Sequence, residues 1–145
     1  MFKHILVPVD GSPTAQLAVD RAIALAKLTG ARITALFAIN PYPFTGIGTD
    51  FAYGQAEYLS AATAEANAAI KMAKTAFEQA GVNFKSELVE ANTAWRAIVE
   101  TATSIQADLI VMGSHGRSGI EKLVLGSVTQ AVLAHTHLPV LVVRD

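Results

Sequence analysis

Lys3-His4-Ile5-Leu6-Val7-Pro8-Val9-Asp10-Gly11-Ser12-Pro13 reads as a buried strand, a turn and the first residues of a helix. Residues 3–9 form an apolar, β-branched run of strand length, bounded by the turn formers Asp10, Gly11, Ser12 and Pro13. Ser12 is a helix N-cap type, and Pro13 suits the first helical position, where an N–H would lack an intrahelical partner anyway. A stripe of Ala15, Ala18, Val19, Ala22, Ile23 and Ala26 follows at i, i+3, i+4 spacing and stops near Gly30. A strand feeding directly into an amphipathic helix is the repeating unit of an α/β fold.

The same alternation continues to the end of the chain. Residues 32–39 read as a second strand, and residues 40–50 as a loop with two prolines, two glycines and two aromatics. Residues 51–80 form a long alanine-rich helix closed by Gly81, whose stripe of Ala62, Ala66, Ala69, Ile70, Ala73, Ala76 and Phe77 is expected to pack on the sheet. Residues 82–89 are a third strand with one more exposed face. Thr93 is placed to cap a helix over residues 94–105, in which Trp95 is expected to pack. Residues 108–112 are the fourth strand, residues 126–135 the next helix, and residues 138–143 the fifth strand. No linker, low-complexity tract or charge block interrupts this pattern, so residues 1–145 are expected to form one domain. Short strand–helix–strand connections imply right-handed crossovers and an open parallel sheet with helices on both faces. Ligands of such sheets bind beyond the carboxyl ends of the strands. That rule brings together Asp10, residues 38–40 and residues 113–116.

The last of these segments carries the chemistry. Gly113-Ser114-His115-Gly116 follows an apolar strand, and Gly126-Ser127 opens a helix after a nine-residue spacer. Backbone that approaches a phosphate closely needs residues without a β-carbon, and its N–H groups supply the donors. The helix start adds a hydroxyl and the positive end of a dipole. A glycine pair alone is often only a tight turn, but the second cluster at this spacing points to an anion cradle. It is neither a Walker loop nor a dinucleotide fingerprint after the first strand.

Composition narrows the function classes. The chain is 52% apolar and 16% charged, which excludes disorder and leaves a low-charge surface that favours self-association. Its formal net charge of −1 gives no electrostatic footprint for nucleic acid or an anionic membrane. Without cysteine there are no disulfides, thiolate chemistry or cysteine-based metal sites. The apolar start is too short for a signal peptide, and no apolar run nears the roughly 20 residues of a membrane span. A cytoplasmic location is expected.

Gly113-x2-Gly116-x9-Gly126-Ser127, ending in Leu138-Pro139-Val140-Leu141-Val142-Val143, resembles the nucleotide-binding signature of the universal stress protein family, ATP-binding branch. The opening Ile5-Leu6-Val7-Pro8-Val9-Asp10-Gly11-Ser12 is also similar to that family's first strand and turn. The resemblance covers essentially the whole chain. It implies an adenine nucleotide alpha hydrolase-like sheet of order 3-2-1-4-5, and a homodimer joined along the last strand, residues 138–143. It further implies ATP, with Mg or Mn held mainly through the phosphates. Carried over by position, the phosphates would lie on the backbone of Gly113, Gly116 and Gly126 and on Ser127, with Arg117, Ser118, Val128 and Thr129 adding contacts. Ala38 would meet adenine through its backbone beside Pro8 and Val9, with Met112 at the end of the fourth strand, and Asp10 would meet the adenosine end.

Several of these residues carry a second reading. Asp10 is either a turn and cap residue before Ser12 or an acceptor for ribose hydroxyls or the adenine amino group; its charge would repel phosphates. Arg117 either pairs with phosphate or is an exposed loop residue. His115 either donates to a phosphate or positions water, with no base–orienter partner evident in the sequence. His135-x-His137 resembles a metal pair in composition only, since residues two apart on a helix face different ways, so His135 is read as a helix-end histidine. No metal site is assigned to the protein.

The function expected is that of a nucleotide-dependent regulatory protein without enzyme activity. The alternative is a slow ATPase or adenylating enzyme of the related nucleotide-hydrolase folds. Those enzymes carry a loop of the type Ser-Gly-Gly-x-Asp-Ser after the first strand, where this chain has Val9-Asp10-Gly11-Ser12-Pro13. The missing phosphate loop after the first strand also argues against a flavodoxin-like electron carrier. A dimerisation module that has lost its ligand is the remaining rival.

Overall fold

In the computed structural model, the described residues are 1–40, 49–116 and 125–145, with residues 49–53 described by backbone alone. Arg117, Ser118 and loop residues 41–48 lie outside them. The elements are β1 (His4–Pro8), α1 (Pro13–Thr29), β2 (Arg32–Ile39), α2 (Thr49–Ala80), β3 (Phe84–Glu90), α3 (Ala94–Ser104), β4 (Leu109–Gly113), α4 (Ser127–His135) and β5 (Val140–Val143). The strands form one parallel sheet of order β3-β2-β1-β4-β5, the order implied by the family resemblance.

Alternation along the central strands fills two cores. Ile5, Val7 and Val9 point to the face covered by α1 and α2, where Ala18, Val19, Ala22, Ala66, Ala69, Ala73 and Phe77 pack. Leu6, Leu36, Ile110 and Met112 point to the opposite face, against Ile98 and Ala102 of α3 and Val132 of α4. Ile5, Leu6 and Val7 are wholly buried, each contributing about 1.5–3 kcal/mol of transfer free energy. The alanines let α1 and α2 sit close to the sheet, so the expected α2 stripe is core. α1 is capped as expected: the Ser12 hydroxyl accepts from the Ala15 N–H at 3.2 Å, and Gly30 ends the helix at φ 76.

Several boundaries differ from the sequence reading. α2 begins at Thr49, two residues before the expected start. β3 begins at Phe84 because the Val82 N–H is used in closing α2, donating to the Phe77 carbonyl at 3.3 Å. β4 runs one residue later than expected and includes Gly113, while the Asp108 carboxylate takes the N–H groups of Lys3 and His4 at 2.8 and 3.0 Å. Before β5, Leu138 turns inward, its N–H donating to Thr136 Oγ1 at 3.2 Å, and the strand starts at Val140. Thr93 occupies the N-cap of α3, but its side chain makes no capping hydrogen bond. α3 stops at Ser104, and Gln106, at φ 58, takes the left-handed turn that a glycine usually makes.

Candidate functional site

The carboxyl ends of β1, β2 and β4 open into a cavity of about 420 Å³. Pro8, Val9 and Asp10 reach it from the end of β1, and Ala38 from β2. β4 and the loop after it bring Met112, Gly113, His115 and Gly116, and the start of α4 brings Gly126, Ser127, Val128 and Thr129. Every candidate residue among the described ones therefore lines this one cavity. Leu36, Phe37, Ala94 and Ile98 complete an apolar wall, and Ser12 and Ala15 a polar-to-apolar edge at the start of α1. None of these six reads from the sequence as a site residue: Ser12 and Ala15 read there as the cap and stripe of the first helix, and Ala94 and Ile98 only as part of the helix over residues 94–105.

The glycines are explained by close approach. A Cβ on Gly113 would lie 2.7 Å from Thr14 Cγ2 and 3.1 Å from the Thr14 backbone carbon. On Gly126 it would lie 3.1 Å from His115 Cα, and on Gly116 2.6 Å from Asp10 Oδ2. A methyl group would force Thr14 to move at Gly113, the Asp10 carboxylate to swing aside at Gly116 and the backbone of His115 to give at Gly126, so glycine lets the loop, α1 and α4 meet here without displacement. Hydrogen bonds fix the loop: the Ser114 N–H donates to the Val143 carbonyl at 2.8 Å, and Thr129 Oγ1 donates to the Gly113 carbonyl at 2.9 Å. The Gly126 N–H donates to the Ser114 carbonyl at 2.7 Å. That bond corrects the expectation that Gly126 would offer its N–H to a phosphate; what it supplies is room. The first intrahelical bond of α4 is from the Gln130 N–H to the Gly126 carbonyl at 3.0 Å. The N–H groups of Ser127, Val128 and Thr129 thus lack intrahelical acceptors, at the positive end of the helix dipole and on the cavity wall.

Asp10 is a turn residue that also stands at the cavity. Its Oδ1 accepts the Ser12 N–H at 2.9 Å, as a turn residue would, and its Oδ2 lies against Gly116 at the cavity. The His115 ring has partners that the sequence did not disclose. Nε2 is 3.3 Å from Thr14 Oγ1 and 3.6 Å from Asp145 Oδ1, whereas Nδ1 is buried without a hydrogen-bond partner, as is Ser114 Oγ. His135 is the helix-end residue expected: its Nδ1–H donates to the Ala131 carbonyl at 2.7 Å, and its ring stacks on Trp95 with centroids 4.0 Å apart. Trp95 packs against the α3–α4 core, as read from the sequence. Among the described residues no group of three or more His, Asp or Glu side chains is arranged to hold a metal ion.

The cavity thus has a polar end of closely approached backbone and open helix N–H groups, and an apolar end of β1, β2, β4 and α3 side chains. A sequence profile described as the universal stress protein family matches residues 1–144. Universal stress protein MJ0531 of Methanocaldococcus jannaschii is 37% identical over 145 residues, spanning 99% of this chain and 83% of the relative. The solved structure of MJ0577 from the same organism superposes with a TM-score of 0.87 at 30% identity, covering 100% of this chain and 97% of that one. A universal stress protein solved in complex with cAMP is 27% identical, with a TM-score of 0.73 over 99% of this chain and 97% of its own.

Proposed function

The chain belongs to the universal stress protein family, and on that premise we propose that it is an ATP-binding regulatory protein whose nucleotide occupancy biases conformation or partner choice. The observation that carries this reading is the convergence of Gly113, Gly116 and Gly126 with the open N-terminus of α4 on one cavity. The relative solved with cAMP supports an adenine nucleotide as the ligand class.

In this reading the phosphates lie at the polar end, against the loop backbone, the Ser127 hydroxyl and the N–H groups of Ser127, Val128 and Thr129, with Arg117 and Ser118 from the spacer. Adenine lies at the apolar end between Pro8, Val9, Ala38 and Met112, with Ile98 as the far wall. Asp10 faces the ribose, because its carboxylate accepts from hydroxyls and repels phosphate. Mg or Mn accompanies the phosphates, coordinated mainly by their oxygens and by water. The regulatory reading, rather than an enzymatic one, is supported by His115: Nε2 has both protein partners and no described side chain orients Nδ1, so among the described residues the ring has no base–orienter relay. A homodimer through β5 fits the same picture, since that strand lies at a sheet edge with Leu141 40% exposed.

Isothermal titration with Mg-ATP tests the site. The wild type is expected to bind, and Gly116→Val to bind at least about tenfold more weakly, since its new side chain meets Asp10. No binding by the wild type, or equal binding by the variant, overturns the reading.

A further inference from the structure

The buried stripe of α3 has one open turn. Ala97, Ile98 and Ala102 are buried, and Ile98 belongs to the core that Leu36, Met112 and Val132 fill. Ala94 lies one helical turn before Ile98 on the same face, yet it is exposed and lines the cavity beside it. Its neighbour holds this turn in place: Trp95 packs against the α3–α4 core and stacks on the His135 ring, with centroids 4.0 Å apart. The Ala97 N–H to Thr93 carbonyl bond, at 3.2 Å, closes the same turn. Ala94 is therefore a small side chain on a fixed wall, and the other walls at this end of the cavity are the ends of β1, β2 and β4.

The side chains at the apolar end, among the described residues, carry no nitrogen or oxygen. A base held there meets backbone groups instead. The Val9 N–H donates to the Leu36 carbonyl at 2.8 Å, and the Ala91 N–H to the Ile39 carbonyl at 2.8 Å. Alternation along β2 then turns the Ala38 N–H and C=O to the β1 side, past the end of β1 at Pro8. One donor and one acceptor on a strand edge fit adenine through its amino group and N1. They fit cytosine equally, through its amino group and N3. Hydrogen bonds of this kind do not separate the two bases. Width does, because adenine has a second ring that needs room to enter and apolar wall to cover it.

We propose that Ala94 is a specificity-determining residue of the nucleotide site. Its small side chain at the open turn of α3 leaves the width of a two-ring base, so the site takes a purine nucleotide over a pyrimidine nucleotide with the same hydrogen-bonding edge. A branched side chain at this position fills the space of the second ring, leaves that of a single ring, and does not reach the phosphates at the polar end. This inference rests on the nucleotide reading above.

Isothermal titration of the wild type, Ala94→Leu and Ala94→Ser with Mg-ATP and Mg-CTP tests it, with the helix signal of each protein recorded as a check of folding. The wild type should bind ATP at least about tenfold more tightly than CTP. Ala94→Leu should lose at least about tenfold in ATP affinity and less than about threefold in CTP affinity. Ala94→Ser, of nearly the same size as the wild type, should keep ATP affinity within about twofold. If Ala94→Leu lacks the wild-type helix signal, Ala94→Val takes its place, with the same direction of change expected. Equal affinities of the wild type for ATP and CTP overturn the proposal while leaving the nucleotide reading standing. So does a folded Ala94→Leu that keeps its ATP affinity or loses both ligands in equal proportion. A wild type that binds neither nucleotide overturns both.

Discussion

A single methyl group measures what each cavity glycine contributes. At Gly116 the obstacle is a carboxylate oxygen, which can swing aside, although it then loses its bond to the Ser12 N–H. At Gly113 the obstacle includes the Thr14 backbone carbon at 3.1 Å, which cannot yield without moving α1 relative to β4. Gly30 is the contrasting case: nothing lies within 4 Å of a Cβ there, but its φ of +76 strains any L side chain. Gly113→Ala should therefore cost about 1–3 kcal/mol in overpacking and also weaken nucleotide binding. Gly30→Ala should cost about 1 kcal/mol of stability and leave binding unchanged. Urea denaturation and nucleotide titration of the two variants check this; equal effects on binding would remove close approach as the role of Gly113.

β5 shows at the scale of an element what side chains alone leave open. It pairs with β4 on one side, and its other edge meets no described strand. Leu141 on this strand and Leu133 on the neighbouring α4 remain 40% and 42% exposed. If copies pair through this edge, Leu141→Arg sets like charges against each other. Sedimentation should then show a dimeric wild type and a monomeric variant with an unchanged helix signal; a variant that stays dimeric would place the interface elsewhere. The strands and helices were legible from sequence because each is written locally, in an apolar run, a period or a cap such as Ser12. The boundaries that moved were decided by partners far along the chain. Val82 belongs by composition to β3, but its N–H closes α2. Asp108 continues the apolar run by position, yet its carboxylate binds the backbone of Lys3 and His4. The site was legible on the same terms. Two glycine clusters name the polar end, whereas Ala94 and Ile98 arrive through packing that no local pattern encodes.

Across the whole molecule, the two ends of the sheet divide stability from binding. The cavity sits at the carboxyl ends of the strands, and the opposite end holds two ionisable groups locked into the fold. His4 is buried, its Nδ1–H donating to the Ile105 carbonyl at 3.1 Å and its Nε2 2.7 Å from Thr34 Oγ1. Burial first, then the nearby Arg32 charge, hold its imidazole below the ordinary 6.5 despite the bond to Ile105. Burial pushes the Asp108 carboxyl up, but N–H donors from His4, Lys3 and its own backbone outweigh it and hold the group below 3.8. Both shifts have the same sign in stability. The folded state disfavours the protonated form of each group, so its contribution is present above the unfolded value and is lost as pH falls towards the folded one. Loss should begin below pH 6.5 with His4 and deepen below 3.8 with Asp108. Asp108→Asn should lower stability near neutrality by roughly 0.5–1 kcal/mol, allowing for solvent screening. It should flatten the acid limb of the urea midpoint while leaving the His4 limb and Mg-ATP affinity at pH 7 as in the wild type. An unchanged acid limb would show that the Asp108 clamp does not govern acid unfolding, and a lost ATP affinity would show that the two ends of the sheet are coupled.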